Sequence, residues 1–330
     1  VDNAALVRGL QKQAELTGVV KVEFIGAVSK GLEGKELAEM GDMAEAGVVA
    51  FSDDGHYVEN AAFMRRALEY SSMFNKMVID HAEDITLTKN GHMHEGIVSY
   101  ELGVIGRPAV AEDLAVARDI LLSEMTGGHI HIAHVSSKNT VDMVRRAKAK
   151  GLNVTCEVTS QHLSFTDEYL REYNPAFKMA PPIRSEDHRQ ALLEGLKDGT
   201  IDAIITDHAP HAYEEKDHEF CCAPNGFSGL ETSLAAVITN AYGPDKLSID
   251  QVVYYMSTRP AELMHLDAGV LEVGKPADIT VFSTTEKWTV DRNKFYTKGK
   301  VSPFDGMTVT GKAKLTVVDG KIVMKEGVVL

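Results

Sequence analysis

Four stretches of this chain set imidazoles and carboxylates directly after apolar runs, and the densest is Ile204-Ile205-Thr206-Asp207-His208-Ala209-Pro210-His211. A β-branched run that ends in an acid, two histidines and a proline is how a buried strand passes into a reactive loop. Asp207 falls where such a strand stops being core and starts to face a pocket, with His211 farther along the loop. Asp54, His81 and His134 follow their own apolar runs at corresponding positions. Imidazole and carboxylate together suit a borderline divalent ion, and two acids with two or more histidines can hold a pair of ions bridged by one carboxylate. Any one of these residues alone reads as a loop cap. Four at strand ends read as one site.

Other histidines are weighed against the same geometry. His129 and His131 form an H-x-H pair, but at roughly 3.3 Å per residue they begin about 10–16 Å before His134, so they read as buried, hydrogen-bonded side chains. His162 follows a strand and is a candidate for orienting a ligand. The Cys221-Cys222 pair, the methionines and Glu214-Glu215 read as structural or solvent-facing.

The elements that must position these residues repeat one grammar. Leu6, Leu10 and Ala14 recur at helical spacing before Gly18, and Val19 to Gly26 reads as a strand. A helix over 34–45 leads to a strand over 47–51, and Asn60 caps a helix that leads to Met77-Val78-Ile79. Pro108 opens a helix with Val110, Leu114, Ala117, Leu121 and Met125 on one stripe, expected to face the core. Strands over 129–135, 154–158 and 201–205 follow, separated by helices over 140–150 and from Ser185 to Gly199. A last helix passes through Val252 and Met256.

Nearly continuous apolar strands alternating with helices imply a parallel sheet covered by helices. Polar residues at the C-terminal end of strand after strand favour a TIM-type (β/α)8 barrel over a doubly wound sheet, which would gather its site at one switch point. About six β/α units are visible. Residues 1–262 are assigned to this barrel, and the rest, 263–330, to a small all-β subdomain, because Asp319-Gly320 between two apolar runs is a strong hairpin signal.

Composition narrows the partners. A net charge of −14 over 330 residues disfavours nucleic acid and anionic membranes, which select clustered Lys and Arg. Three cysteines cannot build a disulfide framework, and no secretory segment or long apolar run is present, so a soluble cytoplasmic protein with a small-molecule substrate is expected. The chain opens Val1-Asp2-Asn3 in what reads as the middle of a domain, and further barrel units are expected upstream.

Taken together, the blocks Ala50-Phe51-Ser52-Asp53-Asp54-Gly55, Asp80-His81-Ala82-Glu83-Asp84, His131-Ile132-Ala133-His134-Val135-Ser136-Ser137 and Ala203 to His211 resemble, in order and spacing, those of bacterial type I dihydroorotases in the amidohydrolase superfamily. Gly274-Lys275-Pro276-Ala277-Asp278-Ile279-Thr280 is similar to that superfamily's closing β segment. The resemblance implies two zinc ions, with Asp54 as the bridging carboxylate in place of the carboxylated lysine of hydantoinases. It implies His81 and His134 as ligands of the second ion, and Asp207 as ligand of the first and as general base and acid. His211 would bind the substrate carboxylate, and Ala223-Pro224-Asn225-Gly226 would touch the pyrimidine ring.

The departures from the family pattern are specific. Its H-x-H ligand pair and the following arginine are expected upstream of Val1. Ala180, in Lys178-Met179-Ala180-Pro181-Pro182-Ile183-Arg184, stands where many relatives place a substrate-contacting asparagine, and Asn225 where a phenylalanine is usual. The implied activity is reversible cyclisation of N-carbamoyl-L-aspartate to dihydroorotate, in pyrimidine biosynthesis. Two alternatives stand beside it: another cyclic amidohydrolase such as a hydantoinase or allantoinase, and a non-catalytic subunit that partners aspartate transcarbamoylase. A homodimer is the other assembly carried forward.

Overall fold

The computed structural model describes all residues, 1–330. The helix Ala4–Thr17 starts where the Asn3 side chain accepts the Leu6 N–H at 3.0 Å, and Asn60 starts Ala61–Ser72 in the same way on Phe63. Ser137 caps Lys138–Ala149, and Gly127, at φ 72°, ends Val110–Thr126 in the left-handed region that glycine adopts without penalty.

Twelve strands follow one another along the chain: β1 (Ile25–Gly26), β2 (Ala50–Ser52), β3 (Val78–Asp80), β4 (Met93–His94), β5 (Gly106–Arg107), β6 (Ile130–Ile132), β7 (Val154–Thr159), β8 (Ala203–Ile205), β9 (Ile279–Thr289), β10 (Thr308–Val318), β11 (Lys321–Lys325) and β12 (Val328–Val329). Six of them form one parallel sheet in the order β1-β2-β3-β6-β7-β8. These are the six β/α units read from the sequence. A second, antiparallel sheet, β12-β11-β10-β9, forms near the C-terminus, and its β10–β11 hairpin turns at Asp319 (φ 47°) and Gly320 (φ 76°).

Several elements differ from the expectation. β1 keeps only the end of the apolar run over 19–26, because β2 offers it backbone partners only at Ala50 and Phe51; Val19, Val20 and Val22 stay exposed. The helix expected over 34–45 is confined to Met40–Glu45. β4 and β5 pair with each other outside the main sheet, and the helices Ile97–Leu102 and Ser233–Asn240 carried no clear periodic signal.

The stripe on Val110–Thr126 is inverted. Val110, Leu114, Leu121 and Met125 face solvent, while Ala111, Glu112, Ala115, Val116, Asp119 and Ser123 are buried. Small residues let this helix approach its neighbours closely, and two of the buried polar side chains are paired in the interior: Glu112 binds the Ser136 and Ser137 N–H groups, and Ser123 Oγ binds Gly128 O at 2.8 Å. Local chemistry overrides the apolar pattern here.

Two cores result. The larger, including Phe51, Met64, Ile132, Val158 and Leu196, lies between the parallel sheet and its helices. The second joins Phe177, Met179, Phe220 and Phe227 to Val290, Phe295, Phe304 and Val309. Residues from the two assigned regions therefore share one apolar cluster. Phe304 is 2% exposed and lies 4.7 Å from Phe165 between ring centroids. Phe304→Ala is expected to lower stability by about 3–5 kcal/mol, the usual cost of emptying an aromatic core site. Urea unfolding checks this, and a loss below about 1 kcal/mol would show that the cluster is no core.

Candidate metal centre and substrate cavity

The C-terminal ends of the parallel strands surround a cavity of about 430 Å³. Its wall includes Asp54 after β2, His81 after β3, His134 after β6 and Asp207 after β8, together with Ala180, Asn225 and Gly226. Seven of the eight residues singled out in the sequence thus line one space. His211 stands behind them: its Nε2 donates to Asn225 O at 2.7 Å, and its Nδ1 lies 3.4 Å from Glu215.

The tightest grouping is Asp54, His81 and His134, whose ligating atoms all lie within 4.8 Å of one another. His81 Nδ1 is 3.0 Å from His134 Nε2, and Asp54 Oδ1 is 3.6 Å from the first and 3.4 Å from the second. Two ring nitrogens and a carboxylate oxygen converging at these distances form a donor set suited to a divalent ion, so the residues present fit a metal. Asp207 faces the same cavity from β8 and stands outside that group.

The electrostatics follow from this crowding. For Asp54, burial works against the charged form, but hydrogen bonds with His134 and His81 prevail and hold the carboxyl far below the usual range. Burial also opposes an imidazolium at His81, yet Asp54 and Glu83 raise it to about 9. His134 is raised in the same way, chiefly by Asp54. Asp207 is raised by burial first and by the Asp54 charge, against the pull of His134.

Each strand end is held from behind. Asp53 accepts the Val28 and Ser29 N–H groups at 2.8 and 3.0 Å, which fixes the turn bearing Asp54. Glu112 accepts Ser136 N at 3.0 Å and Ser137 N at 2.9 Å just after His134, and Arg184 closes on it at 3.3 Å. Gln161 Nε2 donates to Thr206 O at 2.7 Å beside Asp207. His134 and Asp207 take positive φ, 33° and 42°, a left-handed backbone that L residues adopt only when their surroundings impose it.

The remaining histidines sit as their positions implied. His129 Nε2 and His131 Nδ1 bond Thr155 Oγ1 at 2.8 and 2.7 Å, inside the sheet. His162 bonds Thr159 Oγ1 and Pro181 O, next to Ala180. Two cavity residues escaped sequence reasoning. Glu83 and Arg107 form a buried ion pair on the wall, Glu83 lies 3.9 Å from His81 Nε2, and each keeps one buried polar atom without a partner. Glu83 lay within a quoted block, whereas nothing in the sequence marked Arg107.

Gly226 shows how closely the loops meet. It has φ 105°, and a Cβ placed there would lie 2.7 Å from Ala209 O and 2.8 Å from Ala209 Cβ, so only glycine fits.

Residues 19–323 match the family model described as "Amidohydrolase family". The chain belongs to the amidohydrolase family. This amidohydrolase is 46% identical over 329 residues to a dihydroorotase of Acetivibrio thermocellus, covering 100% of the chain and 77% of that relative. It is 48% identical over 328 residues to a dihydroorotase of Pelotomaculum thermopropionicum, covering 99% and 77%. Among solved structures, the L-hydantoinase (dihydropyrimidinase) from Arthrobacter aurescens superposes with a TM-score of 0.89 at 29% identity, over 99% of this chain and 75% of that one. The similarity to bacterial dihydroorotases read from the four blocks is borne out, as is the barrel-type fold with its C-terminal β sheet. The amidohydrolase family is metal-dependent, in keeping with the donor set around Asp54. No helix is long and apolar enough to cross a membrane.

Removing one donor tests the centre. Asp54→Ala is expected to lower bound divalent metal at least tenfold after equilibrium dialysis, with the far-ultraviolet circular dichroism unchanged. Metal retained within twofold would take Asp54 out of the ligand set.

Proposed function

We propose that this amidohydrolase is a dihydroorotase, interconverting N-carbamoyl-L-aspartate and dihydroorotate for pyrimidine biosynthesis. The observation that carries the reading is the 46% identity to a bacterial dihydroorotase over 100% of the chain. Asp54, His81, His134 and Asp207 are the residues assigned to hold two zinc ions. When bound, such ions supply Lewis acidity and a hydrolytic water ionised near neutral pH.

The chain's own groups do the rest. Asp207 reaches the cavity from the end of β8, where a carboxyl can pass a proton between water and substrate. In the hydrolytic direction it takes the proton of the attacking water and delivers it to the departing ring nitrogen. In cyclisation the same carboxyl works in reverse. Asn225 and Gly226 lie against the ring, and Ala180 leaves room beside it where an asparagine would reach in. His211 is assigned to the substrate carboxylate, through the Nε2 proton that here binds Asn225 O.

A hydantoinase reading has the structural neighbour in its favour. It is the weaker one, because no lysine lines the cavity and an acid, Asp54, stands where the bridge is needed. A homodimer and an association with aspartate transcarbamoylase are proposed as its assemblies, the transcarbamoylase being also the partner of the non-catalytic alternative.

Turnover of dihydroorotate, measured beside hydantoin and allantoin, tests the substrate. Asp207→Asn is expected to lower kcat on the order of 10²–10⁴-fold, the usual contribution of a general acid–base group. Near-normal turnover by that variant with its metal bound would remove Asp207 from the role.

A further inference from the structure

Behind the cavity wall lie two lysines that the mechanism does not use. Lys178 is 4% exposed and Lys216 2% exposed, and no carboxylate is among the groups that set the charge of either. Burying an ammonium without an anion is unfavourable unless oriented dipoles replace its water. Most of those dipoles come from one loop, with His92 Nδ1 a further 3.4 Å neighbour of Lys178 Nζ. Lys178 Nζ donates to Cys221 O at 3.0 Å and to Ala223 O at 2.7 Å, with its ammonium 5.5 Å from the centre of the Phe220 ring. Lys216 Nζ donates to Pro224 O at 2.8 Å and reaches Lys178 O at 3.4 Å. The Gly226 N–H closes the circuit on Lys178 O at 2.9 Å.

The two lysines come from different parts of the wall. Lys178 lies two residues before Ala180, and Lys216 ends the short helix Tyr213–Lys216 that follows His211. Their ammonium groups meet on the carbonyls of Cys221, Ala223 and Pro224, the residues that lead into Asn225 and Gly226. With those oxygens bound on the far side, the loop presents Asn225 and Gly226 to the cavity.

We propose that Lys178 and Lys216 are positioning residues that clamp the loop Cys221–Gly226 and so set how tightly the substrate ring is held. The inference rests on the assignment of Asn225 and Gly226 to the ring in the proposed function. Burial, with the charge of Lys178 second, pushes the Lys216 ammonium down to about 8. A leucine or methionine at either position would remove the desolvation cost but leave the loop carbonyls without their lysine donors, at Lys178 the buried Ala223 O above all.

The test uses the metal-loaded full chain and the variants Lys178→Met and Lys216→Met, with Lys216→Gln as a neutral donor. Each methionine variant is expected to raise KM for dihydroorotate tenfold or more, with kcat within threefold of wild type and bound metal unchanged. Lys216→Gln is expected to fall between wild type and Lys216→Met. Hydrogen exchange supplies a readout that needs no turnover: the Gly226 amide should exchange at least tenfold faster in the methionine variants, while amides of β7 and β8 keep their rates. KM within twofold of wild type, or kcat and metal content falling together with it, overturns the clamp. Should the wild-type chain bind metal yet fail to process dihydroorotate, the proposed function falls, and the Gly226 exchange rates still decide for or against the lysines.

Discussion

The structure depends on bringing acids and imidazoles from separate strands to one point without letting the chain relax away from it. Asp54, His81 and His134 put three lone-pair donors within 4.8 Å of each other. His134 and Asp207 reach their places only by leaving the extended region for positive φ. A left-handed conformation costs an L residue roughly 1–2 kcal/mol, so the surrounding framework must enforce it. That framework is the set of buried polar contacts behind each strand end: Asp53 on the N–H groups of Val28 and Ser29, Glu112 on those of Ser136 and Ser137, and Gln161 on Thr206 O. The rigidity of the parallel sheet matters because these contacts are anchored to it.

The cavity has two halves of different character. One is the sheet side, where Asp54, His81, His134 and Asp207 follow short strands that border the larger core. The other is built from loops, among them those bearing Ala180, Ala209, Asn225 and Gly226, which depend on the second core and on bonds between side chains and backbone. The residues that fit a metal belong to the first half and those proposed to touch the substrate ring to the second, so the two groups rest on separate structural supports.

Much of the first half was legible in the sequence because strand ends announce themselves: an apolar β-branched run stops and a ligating residue follows. All six parallel strands and Asp54, His81, His134 and Asp207 could be found that way. The stripe on Val110–Thr126 misled because Glu112 and Ser123 are buried by bonds to Ser136, Ser137 and Asn153, distant in sequence, and Asp119 by its neighbour Arg118, none of which a hydrophobic period encodes. β1 came out short because pairing depends on a neighbour, and Val19 to Val22 have none. Arg107, Lys178 and Lys216 were invisible for the same reason: a buried cation looks like any surface lysine or arginine until its partners are known. His211 was placed near the substrate from its block, while the structure shows it bonded to Asn225 O.

The C-terminal segment does more than append a sheet. Ser228 N donates to Val301 O at 2.8 Å, and Gly299 lies so close to His211 that a Cβ there would come 2.6 Å from the His211 carbonyl oxygen. Phe304 fills the core beneath the same loops. On a ribosome, Asp54, His81, His134 and Asp207 therefore emerge before the segment 299–304 that packs against the loop side of the cavity. The loop side of the cavity can take its final shape only after that later segment has arrived.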